Sequence, residues 1–237
     1  SDVQHLDSPT GPGLRLQSQN WAGLETKQPT EAVLPPVDLP DYFDRPVPAI
    51  FPAPKTLSPS TDLGGAKALA GDPGQDEETA KRRGRQIHKL LEVLPPAPRD
   101  TWRAMASQIL SHGPDAAPEG EIDALFTQAR RVLETPELAP IFAPDALAEV
   151  PISARLEPLS GQRIHGVIDR LILSDTHILI VDFKSNILVP DSAENCPEGL
   201  LRQMGAYAAA LAQIYPAHEI QTAILWTQTA TLMVLPH

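Results

Sequence analysis

The segment His177–Lys184, "HILIVDFK", narrows the choice of fold more than any other stretch of the chain. Four aliphatic residues in a row, Ile178 to Val181, with Phe183 beyond them, suit a strand covered on both faces, because a strand with one face in water alternates apolar and polar side chains. Such a strand lies in the middle of a sheet, and helices have to cover both of its sides. The surrounding pattern supplies them. "ETAKRRGRQIHKLLEVL" sets Ile87, Leu90, Leu91 and Leu94 at the i, i+3, i+4, i+7 spacing of an amphipathic helix that stops before "PPAPR". "RDTWRAMASQILSH" and "EGEIDALFTQARRVLETPEL" repeat that spacing. The period then shortens: "AEVPISARLE" (about 148 to 157), "IHGVIDRLIL" (164 to 173) and residues 177 to 184 read as strands, the last two joined by Ser174-Asp175-Thr176. A helix in "PEGLLRQMGAYAAALAQIYP" and strands in "IQTAILWTQ" and "ATLMVLP" complete the order αααβββαββ. This predicts a mixed α/β domain over residues 79–237, with helices flanking a central sheet.

Residues 1–78 have a different texture. Eleven of the 26 prolines lie within residues 1–60, where missing backbone donors and fixed φ angles rule out long helices and central strands. The segment reads as an extended Pro-rich arm, docked in places by Trp21, Leu34, Tyr42, Phe43, Ile50 and Phe51, or else as a disordered linker. The chain begins at Ser1 without an initiator Met, which leads us to expect a fragment of something longer. A single cysteine, Cys196, excludes a disulfide framework, a four-cysteine zinc site and a cysteine-ligated iron–sulfur cluster within the chain, and points to an intracellular protein. No apolar run approaches the roughly 20 residues of a membrane span. The net charge of −11 gives no general basic field for a nucleic acid. The deficit is uneven: residues 1–80 carry 5 basic and 12 acidic side chains, residues 81–237 carry 14 and 18. Lys81, Arg82, Arg83 and Arg85 form one compact basic cluster, which reads either as a solvated helix start or as a contact for an anion.

Charges inside the apolar hairpin bear most directly on function. Asp169 lies within one strand and Asp182 near the end of the next, so a tight turn brings the two carboxylates close together. Alternation points Asp182 and Lys184 the same way and Phe183 the other. Two close carboxylates repel and raise one another's pKa unless a cation holds them. A hard divalent ion, Mg²⁺ or Mn²⁺, meets that need, and Lys184 is then placed to receive an anion brought to the metal. The alternative is an internal ion pair between Lys184 and one of the aspartates, whose burial costs several kcal/mol per ion.

These residues also resemble a family. "GVIDRL" followed by "VDFKSN" resembles the D…(D/E)xK signature of the PD-(D/E)xK nucleases, with Asp169 and Asp182-Phe183-Lys184 at the motif positions. "GRQIHKLLE" is similar to the upstream helix of the RecB-type branch, whose His ligates a metal, which maps to His88. "AEVPI" puts Glu149 where that branch carries an acidic residue near the site, and "QMGAYAAAL" resembles its Q-x-x-x-Y helix, mapping to Gln203 and Tyr207, which share a helix face. The closing "AILWTQTATLMVLP" and the "LSPS" ahead of the domain are similar, more narrowly, to the C-terminal nuclease domain of AddA-type bacterial helicase-nucleases that process double-strand breaks.

The resemblance implies a restriction-endonuclease-like core and a metal-dependent (exo)deoxyribonuclease. His88, Asp169, Asp182 and the backbone carbonyl of Phe183 would hold Mg²⁺, with Mn²⁺ able to substitute, and no iron–sulfur cluster. Asp169, Asp182 and Lys184 would carry the chemistry, with Glu149, Gln203, Tyr207 and Arg85 supporting the ligands or gripping DNA. The partners would be single-stranded DNA, helicase domains preceding residues 1–78 in the same polypeptide, and an AddB-type subunit, in a bacterial cytoplasm and away from membranes. A His ligand further predicts that Mn²⁺ affinity weakens as pH falls through about 6.5. Two other readings remain open from the residues: a nuclease-like scaffold that binds DNA or a partner without catalysis, and a metal-independent phosphate- or nucleotide-binding domain.

Overall fold

The computed structural model describes residues 2–8, 11–17, 40, 43, 55–65 and 77–236. The chain divides into two units, Ser1–Phe51 and Pro52–His237. In the first, Asp2–Ser8 (β1) and Gly11–Gln17 (β2) form an antiparallel hairpin with Asp2 opposite Gln17 and Ser8 opposite Gly11. Of the six side chains expected to dock an arm, Phe43 is described and exposed, while Trp21, Leu34, Tyr42, Ile50 and Phe51 lie outside the described residues. The division at Phe51 falls inside the stretch read as the arm, so residues 55–65 belong to the second unit.

The second unit opens with a short helix, Pro59–Asp62 (α1). Its N-terminal end is held by Asp62, whose carboxylate accepts the Ser58 N–H at 2.7 Å and pairs with Lys55 at 2.6 Å. Three helices follow: Glu77–Val93 (α2), Trp102–Leu110 (α3) and Glu119–Glu134 (α4). Leu147–Leu156 (β3), Gln162–Leu173 (β4) and His177–Lys184 (β5) come next, and then Glu198–Ile214 (α5), Glu219–Trp226 (β6) and Thr231–Val234 (β7). The predicted order and types hold. The five strands form one sheet in the order β3-β4-β5-β6-β7, antiparallel except for the parallel pair β5–β6 that α5 connects.

The apolar strand is the middle one. Ile178, Ile180 and Val181 are fully buried, and burying an aliphatic side chain of this size contributes roughly 1.5–3 kcal/mol. Val181 and Phe183 pack with Ile87, Leu90, Leu91 and Leu125 on the α2–α4 side. Ile178 and Ile180 pack with Leu200, Met204 and Tyr207 of α5 on the other. Among the described residues, no helix is long and apolar enough to cross a membrane.

The sheet carries a fork. The β4–β5 ladder ends at Arg170 opposite Val181. Below it, β4 continues beside β3 back to Gln162, while β5 continues beside β6 to Lys184. The chain before α1 enters the gap: Leu57 forms a parallel bridge to Ile164, with Leu57 N–H donating to Arg163 O at 2.8 Å and His165 N–H to Leu57 O at 2.9 Å. The Tyr207 hydroxyl donates to Val167 O at 3.0 Å. Backbone groups that β5 leaves unpaired thereby find partners, as buried polar groups must.

Candidate functional site

At the fork, a side chain replaces a strand partner. The Phe183 N–H, which has no β4 carbonyl opposite it, donates to Asp169 Oδ2 at 2.6 Å. The Phe183 carbonyl accepts from His88 Nε2 of α2 at 3.0 Å, and His88 Nδ1 lies 3.4 Å from Asp169 Oδ1. A carbonyl can only accept, so Nε2 carries a proton. Burial works against charge on His88, but the Asp169 carboxylate outweighs it and pushes the imidazole up to about 9. Burial likewise opposes ionisation of Asp169, yet His88 and the Phe183 N–H hold it below the ordinary carboxylate value. The pair is an ion pair at neutral pH.

Glu149 completes this group through an irregular backbone. Ala148 pairs with Arg170 and Val150 with Ile168, which sets Glu149 opposite Asp169, but the ladder skips that step. Glu149 has φ 49°, a left-handed conformation that costs a residue with a Cβ roughly 1–2 kcal/mol. The irregularity changes facing: Ile168 and Leu171, three apart, both face the α5 core, whereas strict alternation would separate them. Asp169 sits at that break. His88, Glu149 and Asp169 each offer a ligand atom, all within 4.8 Å of one another. Burial pushes the Glu149 carboxyl up, and Asp169 adds to it.

Asp182 keeps different company. Lys184 Nζ donates to its Oδ2 at 2.5 Å and Gln203 Nε2 to its Oδ1 at 2.5 Å. Burial pushes Asp182 up, reinforced by the charge on Asp169 and opposed by Lys184. The ion pair weighed as an alternative from the sequence is therefore formed. The residues fall into two sets that meet at Phe183: His88, Asp169 and Glu149 on one side, Lys184, Asp182 and Gln203 on the other. Tyr207 is a neutral donor to β4, its pKa raised by burial and by Asp182 and Asp169. Arg85, one turn before His88 on α2, is taken up by Asp115 at 2.7 Å and Glu78 at 3.1 Å rather than by the site carboxylates.

Several supporting residues escaped the sequence reading. Arg170, next to Asp169, is buried and donates through Nη2 to Leu91 O at 2.6 Å, near the C-terminal end of α2, with its guanidinium 5.1 Å from the Phe142 ring centroid. It fastens to the sheet the helix that carries His88. A chain of hydrogen bonds runs from Arg83 of α2 to Gln128 of α4 (2.8 Å), from Gln128 to Thr227 just after β6 (3.0 Å), and from the Thr227 N–H to Lys184 O (2.9 Å), which fixes the backbone at Lys184. The one available signal was an arginine within an apolar strand; Gln128 and Thr227 give none.

The donor chemistry fits a hard divalent cation. Two carboxylates, a backbone carbonyl and one imidazole form an oxygen-rich set, and a cation would offset the burial, reinforced by the Asp169 charge, that keeps Glu149 and Asp182 high. The His88 imidazole pairs with Asp169 and the Lys184 ammonium with Asp182. Ligation by His88 requires release of its proton. A model of the family described as the PD-(D/E)XK nuclease superfamily matches residues 62–232, which include every residue of both sets. A search of curated proteins finds no match.

Proposed function

The chain belongs to the PD-(D/E)XK nuclease superfamily, and from that premise we propose that it is a metal-dependent nuclease that hydrolyses phosphodiester bonds of single-stranded DNA. The observation that carries the reading is the meeting, at a fork in the sheet, of His88, Asp169, Glu149 and the Phe183 carbonyl with the Asp182–Lys184 pair. His88, Asp169, the Phe183 carbonyl and one oxygen of Asp182, with Glu149 beside them, would hold Mg²⁺ or Mn²⁺, which supplies a Lewis acid for the phosphoryl oxygens and for water. Lys184 is a cation held in place by Asp182 and a fixed backbone, so it meets the charge that develops on the phosphate without reorganising. Gln203 fixes the Asp182 carboxylate and Tyr207 fixes β4.

The substrate and context are finer proposals. No residue of either set has the pattern of a base reader, and contacts to phosphate carry no sequence information, so cleavage is sequence-independent. The His88 helix and the Gln203–Tyr207 helix favour the RecB-type branch. In the AddA-like arrangement, helicase domains and an AddB-type subunit would feed unwound strands to this exonuclease during double-strand break processing in a bacterial cytoplasm. Incubation with Mg²⁺ and labelled single-stranded DNA tests the reading: cutting is expected, and is expected to vanish in Asp182→Ala and Lys184→Ala. Metal-dependent cutting that survives both substitutions would mean that other residues do the chemistry, and no cutting at any DNA concentration would favour a nuclease-like scaffold.

A further inference from the structure

We infer that Gly65 is a positioning residue of this site, through which the strap Leu57–Gly65 sets the Asp182 carboxylate by way of Gln203; the inference rests on the nuclease reading above. The strap is fastened at successive points. Leu57 is bonded to β4 at Arg163 and His165. A Cβ on Gly166 of β4 would stand 3.1 Å from Pro59 Cδ, so strap and strand are in close contact there. Arg202 of α5 donates from Nε to Leu63 O at 3.1 Å. With these anchors made, the backbone of Gly65 arrives against the side chain of Gln203: a Cβ at residue 65 would lie 1.9 Å from its Oε1, 2.9 Å from its Cδ and 3.1 Å from its Cβ.

Gln203 has little freedom to yield. It is buried, with 1% of its surface exposed. Its Nε2 donates to Asp182 at 2.5 Å, while its Oε1 has no hydrogen-bond donor. The bond to Asp182, the neighbouring Tyr207 hydroxyl and the wall of the strap therefore hold the amide where it sits. An added methyl at residue 65 meets three atoms along Gln203, so the side chain has to swing as a whole, and the bond to Asp182 is what it gives up. The neighbouring glycine makes a useful contrast. Gly64 has φ +92°, which strains any other residue, and a Cβ there would meet Arg202 Nη2 at 3.4 Å and not Gln203.

The test compares Mn²⁺ affinity by calorimetry with melting of the metal-free protein, for Gly65→Ala, Gly64→Ala, Gln203→Ala and Gly65→Ala/Gln203→Ala. Loss of a partner that orients a ligand weakens metal binding about 10–100-fold. Gly65→Ala is expected to lose Mn²⁺ affinity in that range. In the Gln203→Ala background, where the obstructing amide is gone, the same methyl is expected to change affinity by less than about twofold, the non-additivity of two residues acting through one contact. Gly64→Ala is expected to lower the melting temperature and leave Mn²⁺ affinity near wild type. Cleavage of single-stranded DNA by Gly65→Ala is expected to fall in kcat with KM unchanged. Wild-type affinity in Gly65→Ala overturns the inference. So does an equal loss in the Gln203→Ala background, and so does an equal loss in Gly64→Ala, which would make the strap merely structural. A wild-type chain that binds no Mn²⁺ overturns the metal-dependent reading and this inference with it, whereas wild-type binding beside an unaffected Gly65→Ala removes the inference alone.

Discussion

His88 shows how one residue's surroundings reset an expectation based on its type. An ordinary imidazole titrates near 6.5, but beside Asp169 the folded-state value rises to about 9. The folded protein thus binds this proton more tightly than the unfolded chain, so the stabilisation is fully present below about 6.5 and is lost as pH rises through 9. In metal-free wild type, the melting temperature is expected to fall between pH 6.5 and 9, and His88→Gln is expected to flatten that slope. A metal competes with the same proton, so Mn²⁺ affinity is expected to rise across the same interval, by up to about two orders of magnitude. The neighbouring Asp169 carboxylate thus moves the expected midpoint above the ordinary imidazole value of about 6.5. Glu149 gives a second prediction at this scale. Glu149→Gly removes both the left-handed strain and a carboxylate facing Asp169, and is expected to stabilise the metal-free protein by about 1 kcal/mol while weakening Mn²⁺ binding. A less stable variant would mean that the left-handed backbone at Glu149 stores no strain, and one that binds Mn²⁺ as wild type does would show that Glu149 takes no part in ligation.

At the scale of elements, the site depends on how α2 is attached to the sheet. Leu91 O belongs to the last turn of α2, where carbonyls lack partners within the helix, and the buried Arg170 guanidinium supplies one at 2.6 Å. Burial lowers the Arg170 pKa, yet the residue keeps its charge and complements the negative end of the helix. Arg170→Met leaves that carbonyl buried and unpaired, which costs about 1–3 kcal/mol. Urea titration of the metal-free protein is expected to show a loss of this size with an unchanged m-value, and Mn²⁺ affinity is expected to fall as well, because His88 loses its register against Asp169. Were stability to fall with affinity intact, α2 would be held over the fork by its apolar face alone, through Ile87, Leu90 and Leu91.

At the scale of the molecule, chemistry and attraction to substrate are separated. The chain carries a net charge of −11, and Arg85 and Lys81 of the basic cluster are paired with acidic neighbours. Phosphate affinity is set by such charges and falls steeply with salt. On the proposed nuclease reading, the chain is expected to cut single-stranded DNA with a high KM and strong inhibition by salt, and if helicase domains feed it as proposed, their delivery would lower KM far more than it alters the metal requirement, by raising effective concentration. A DNA-concentration series at two salt concentrations tests the charge argument; a low, salt-insensitive KM for the chain would contradict it.

Periodicity was enough to establish the element order and the middle position of His177–Lys184, because burial imposes a period of two on strands and 3.6 on helices; charges within an apolar hairpin singled out Asp169, Asp182 and Lys184, whereas His88, Glu149, Gln203 and Tyr207 came from the resemblance to a family. Helix Glu198–Ile214 and strands Gln162–Leu173 and His177–Lys184 lie where those periods place them. The finer arrangement came from contacts between distant segments, which leave no local pattern. Nothing near Glu149 announces a left-handed residue in a strand, since the conformation is imposed by pairing with β4. Nothing in "DLGG" indicates that Gly65 abuts Gln203, 138 positions away in sequence. The division of the acidic residues, with Asp169 and Glu149 turned to His88 and Asp182 held by Lys184 and Gln203, follows from where β4 and β5 part. That point is fixed by packing on both faces of the sheet, and so only the tertiary structure decides it.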